Sequence, residues 1–64
     1  MPIVQIHLME GRDDDLKRTL VSKVTAAIVE SICVPAEEVK IILSEMSRNH
    51  YAKAGILILD ESAD

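Results

Sequence analysis

Aromatic side chains are almost missing: the chain of 64 residues has no Phe, no Trp and one tyrosine, Tyr51. Its core must therefore be aliphatic, although a hydrophobic fraction of 48% excludes intrinsic disorder. Cysteine is as scarce. Cys33 stands alone, so an intramolecular disulfide is excluded and a cysteine-based metal cluster is not expected. Between Ile32 and Val34, Cys33 reads as a small buried hydrophobe. Gly11 and Gly55 are the only glycines, which leaves no glycine-rich phosphate loop, and no HxxxH or CxxC pair offers metal ligands. Glu10, Asp13, Asp14 and Asp15 lack the alternating oxygens and central glycine of a calcium loop. Seven basic residues face 11 acidic ones, a net charge of −4, and no basic stripe exists for nucleic acid. The longest apolar stretch, near Ala54 to Leu59, falls far short of the roughly 20 residues that span a bilayer. Without a charged-then-apolar leader either, the expectation is a soluble cytoplasmic protein with no membrane partner.

What is present reads as one β-α-β unit. Ile3 to Met9 alternates, with Val4, Ile6 and Leu8 on one side and Ile3, Gln5, His7 and Met9 on the other, which predicts a strand. Glu10-Gly11-Arg12 breaks it. Asp13 is placed to cap a helix whose first turn holds Asp14 and Asp15 against the positive end of the dipole. Leu16, Leu20, Val21, Val24, Ala27, Ile28 and Ile32 then recur at spacings of three and four, a helix of about five turns. Pro35 cannot continue it, so Cys33 to Glu38 is a connection with room for a short helical turn. Val39, Ile41 and Leu43 alternate with Lys40, Ile42 and Ser44 in a second strand ending near Glu45-Met46, and Ser47 to His50 is a polar loop. Two strands joined by a crossover helix are expected to be parallel. Gly55 permits a turn before Ile56 to Leu59, a third short strand or hairpin arm, and Asp60 to Asp64 reads as a solvated end.

The fold class is thus α/β in the α+β sense, with residues 2–64 forming a single domain. It carries a defect that points outside the chain. Both strands have apolar residues on both faces, and one helix covers only one face. Two strands with open edges are too few to stand alone in water. At this length, chains lean on disulfides, a metal or association. Completion by a closed homo-oligomer is the support that remains.

One chemical feature stands out at the start. Pro2 follows the initiator Met1, and a residue this small after methionine predicts removal of Met1 and exposure of a secondary amine. A low-dielectric pocket with nearby cations disfavours the ammonium form of such an amine and readies it as a base at neutral pH. Taken alone, a proline opening a strand is structurally ordinary.

The run Pro2 to Arg12, the stretch Pro35 to Met46 ending Ser44-Glu45-Met46, and the pair His50-Tyr51 together resemble the 4-oxalocrotonate tautomerase family, in order and spacing, from Pro2 to about Gly55. The resemblance implies a tautomerase-like fold and a tautomerase: Pro2 as general acid/base, Arg12 binding a substrate carboxylate, a cation at Lys40 polarising the carbonyl end, and Tyr51 closing the pocket. It implies no metal or organic cofactor, a small-molecule carboxylate substrate, and a hexamer built as a trimer of dimers whose pockets draw on more than one chain. Two departures are visible. Lys40 stands where the family has an arginine, losing the planar fork. The arm Ala52 to Leu57 is less glycine-rich and more apolar than the family hairpin.

Other readings stand beside this one. Arg12 by itself is an exposed loop charge, Lys40 a solvent-facing strand charge and Tyr51 a core aromatic with a wet hydroxyl, while Arg48 and Lys53 are surface charges. His7 reads as a structural histidine and His50 as a loop residue. The competing functions are a hydratase or dehalogenase acting on unsaturated acids, which requires a carboxylate near Pro2 that the sequence does not identify, and a non-catalytic oligomeric module that retains Met1.

Overall fold

The computed structural model describes residues 1–61, so the end expected at Asp60 to Asp64 lies outside the described residues from residue 62 on. Strand β1 (Ile3–Met9) is followed by helix α1 (Asp14–Ile32), a 3-10 turn (Ala36–Glu38) and strand β2 (Lys40–Met46). The two strands are parallel and in register from Ile3 against Lys40 to Met9 against Met46. The amide of Glu10 extends the ladder by donating to the Met46 carbonyl (2.9 Å).

α1 starts where its cap allows: Asp13 is extended, and its carboxylate accepts from the Leu16 amide at 2.9 Å. It stops at Cys33, whose φ of 60° is left-handed and whose amide donates back to the Val29 carbonyl (3.0 Å). That corrects the burial expected of Cys33. Used to end the helix, it is exposed in the chain.

Alternate residues of the sheet, Val4, Ile6 and Leu8 with Ile41 and Leu43, are half-buried on one face. The helix turns Leu20, Val21, Val24, Thr25, Ile28 and Val29 inward. This stripe is rotated from the expected one, leaving Leu16, Ala27 and Ile32 outside. Lys17 joins helix to sheet through a 2.8 Å ion pair with Glu45 of β2. On the opposite face Ile3 and Ile42 stay 58% and 51% exposed. No described residue is fully buried. The radius of gyration is 15.1 Å, against about 11 Å for a compact domain of this length.

Past β2, a 3-10 turn (Arg48–His50) leads into a hairpin of β3 (Ala52–Lys53) and β4 (Ile56–Leu57). Ala54 (φ 54°) and Gly55 (φ 81°) form its tip. Positive φ at both central residues is what the right-handed twist of a two-residue hairpin demands. The apolar arm is shorter as a strand than expected: Ile58–Asp60 winds into a further 3-10 turn. Among the described residues no helix is long and apolar enough to cross a membrane.

Candidate active site

The start of the sheet gathers one group of candidate residues. Because Ile3 pairs with Lys40, Pro2 lies just outside the first rung, and its carbonyl accepts from the Lys40 amide at 3.0 Å. This bond fixes the half-buried Pro2 beside a cationic residue. The Lys40 ammonium bends back onto the Glu37 carbonyl (3.3 Å). The turn holding Glu37 and Glu38 is itself closed by backbone bonds, Glu38 to the Pro35 carbonyl (3.0 Å) and Val39 to the Ala36 carbonyl (3.1 Å). From that shelf the Glu38 carboxylate reaches the Met1 ammonium at 3.4 Å.

Arg12 belongs to the other end. Gly11, at φ 120°, turns the chain out of β1 in a conformation that L side chains rarely adopt, and the Arg12 guanidinium folds back to donate to the Met9 carbonyl (3.0 Å). Seven residues of strand separate Pro2 from this end, roughly 20 Å at the usual rise. Tyr51 also follows the carboxyl-terminal end of β2. Its carbonyl accepts from the Ile58 amide (2.9 Å), and its side chain is 44% exposed. Within one chain, then, Pro2 and Lys40 come together, whereas Arg12 and Tyr51 do not join them.

Two features leave no mark in the sequence. Glu38 belongs to a connection, and nothing in its spacing signals a contact with the chain start 37 residues away. In the polar loop, the Ser47 hydroxyl donates to Asn49 Oδ1 (2.6 Å) and lies 2.8 Å from His50 Nδ1. These bonds stay within three residues and close an exposed turn, which is a structural role. Arg48 braces the same region through the Ile58 carbonyl (3.4 Å).

What this arrangement can do chemically is limited and specific. A strand-end nitrogen, once freed, can carry a proton beside a cation that tolerates developing negative charge on oxygen. A guanidinium some 20 Å away can take part only from another copy.

The sequence model of the family described as tautomerase enzyme matches residues 2–60. The chain is similar to a 2-hydroxymuconate tautomerase of Pseudomonas putida, 44% identical over 57 residues that cover 89% of this chain and 90% of the relative. Among solved structures it is similar to a homologue of 4-oxalocrotonate tautomerase, with a TM-score of 0.91 and 39% identity over 95% of this chain and 100% of the other. It is also similar to a heterohexameric 4-oxalocrotonate tautomerase from Chloroflexus aurantiacus, with a TM-score of 0.88 and 30% identity over 94% and 97% of the two chains.

Proposed function

Because the chain belongs to the tautomerase family, we propose that it is an isomerase moving a proton along unsaturated 2-oxo or 2-hydroxy acids, with the amine of Pro2 as general acid/base. Removal of Met1 frees that amine. Pro2 then takes a proton from the enol oxygen or a carbon of the conjugated acid and returns it to another carbon, so the substrate changes only in where its proton and double bonds lie. Lys40 stabilises charge developing on the carbonyl oxygen. Arg12 of a neighbouring copy binds the remote carboxylate, and Tyr51 excludes water so that both electrostatic effects gain strength. The working form is a cytoplasmic homo-oligomer, a hexamer arranged as a trimer of dimers. Similarity to a 2-hydroxymuconate tautomerase and to a heterohexameric relative supports the substrate class and the assembly.

The observation that carries the reading is the 3.0 Å bond joining Pro2 to Lys40 in a chain of this family. The test is to prepare the protein with and without Met1, verify each form by intact mass, and follow ketonisation of a 2-hydroxydienoate by its ultraviolet absorbance. The processed form should turn it over and the Met1-retaining form should be nearly inactive. Equal rates would remove Pro2 as the base.

A further inference from the structure

The amino-terminal end of the sheet holds a carboxylate that the reading above does not use. Glu38 sits on a turn closed by two backbone hydrogen bonds, and its Oε1 lies 3.4 Å from the chain's first nitrogen. One residue of chain advances the backbone by no more than about 3.8 Å, and the glutamate side chain has three rotatable bonds. Loss of Met1 therefore leaves the new amino terminus within its reach. The other charged side chains at this end are Lys40, whose ammonium is drawn toward the Glu37 carbonyl (3.3 Å), and Glu37 itself on the same turn, while the last turn of α1 adds Glu30 and no basic residue.

We propose that Glu38 is the counter-ion of the reactive amine, a positioning residue whose carboxylate pairs with the protonated Pro2 nitrogen and sets how readily that nitrogen gives up its proton. The inference rests on Pro2 being the acid/base group and adds a residue outside the substrate contacts. An anion beside an amine favours its protonated form, while Lys40 pulls the other way. The pair is half-exposed to solvent, so its effect is moderate. In physical terms Glu38 favours the protonated amine before substrate arrives and so slows the appearance of the free base at low pH.

The chain has two prolines, Pro2 and Pro35, so proline labelled with nitrogen-15 gives one signal for the amine and one for the turn that carries Glu38. Titrating the processed protein by NMR, the Pro2 nitrogen should lose its proton at lower pH in Glu38→Gln and Glu38→Ala than in wild type. Glu38→Asp, which keeps the charge, should stay near wild type. On the acidic side of the profile, kcat/KM of Glu38→Gln should exceed wild type by roughly three- to tenfold. An unchanged Pro35 signal shows that the turn has survived the substitution. If the Pro2 nitrogen of the Gln and Ala variants titrates with wild type, Glu38 is not its counter-ion, even if activity still requires a free amine. If the titration moves but kcat/KM does not follow it, the pairing stands and Pro2 is not the base.

Discussion

Lys40 opens the parallel ladder next to Pro2, and the family resemblance implies an arginine in its place. An ammonium is a point charge. It can stabilise a developing enolate oxygen but cannot make the paired hydrogen bonds a guanidinium offers to adjacent carboxylate and carbonyl oxygens. Here it also has a competing acceptor, the Glu37 carbonyl, which it must leave to meet substrate. Lys40→Arg should therefore raise kcat/KM on a 2-hydroxy diacid about tenfold, equivalent to roughly 1.4 kcal/mol of transition-state stabilisation. Lys40→Ala should lower it by more than that. Steady-state kinetics on the purified variants decide the matter, and two variants indistinguishable from wild type would make Lys40 a plain surface charge. Its nearness to Pro2 could be read in advance only to within a residue, because the alternating runs begin at Ile3 and Val39 whereas the ladder sets Ile3 against Lys40. The Glu38 contact could not be, since it depends on how a 3-10 turn aims a flexible side chain.

At the scale of the elements, alternation in Ile3–Met9 and Lys40–Met46 and the Asp13 cap were enough to locate both strands and the helix start, because pleat and capping leave local sequence marks. The rotation of the helix stripe left no such mark. Apolar residues occupy more than one face of α1, and which ones turn inward depends on docking. Here the choice is marked by Lys17, whose aliphatic stem can cover the sheet while its head meets Glu45 at 2.8 Å. The hydrogen bond to Glu45, reinforced by the charges of Glu45, Asp14 and Asp13, holds the Lys17 ammonium above its ordinary value of 10.5, with partial desolvation opposing. A group raised in this way adds stability that is complete below its unfolded pKa and is lost as pH climbs through the folded one. The wild-type melting temperature should accordingly fall more steeply above about pH 10.5 than that of Lys17→Met, which keeps the stem without the charge. Parallel melting curves from pH 9 to about pH 12 would show that the pair contributes no stability.

The molecule as a whole is open. Its accessible surface of 4939 Å² exceeds by roughly 800 Å² what a folded monomer of this mass presents, about one partner's share of a standard protein interface. Ile3 and Ile42 lie exposed on the uncovered face of the sheet, and Tyr51, Ile56 and Leu59 on the carboxyl-terminal arm. The same openness separates the candidate site into halves at opposite ends of β1. If neighbouring copies unite them, the amine of one chain works with the guanidinium of another, and this can be tested without a structure of the assembly. Pro2→Ala keeps only a primary amine and Arg12→Ala loses the remote carboxylate contact, so each homo-oligomer should be poor on a dicarboxylate, the second chiefly through KM. Unfolding the two together in equal amounts and refolding them allows mixed assemblies. For sites drawing Pro2 and Arg12 from different chains, random mixing makes about one site in four carry both native residues. Activity should then rise clearly above the mean of the two parents, toward about a quarter of wild type, and light scattering should report a closed oligomer throughout. Sites confined to one chain would give no native pair in any mixture, so activity equal to the mean of the parents would overturn a site shared between chains.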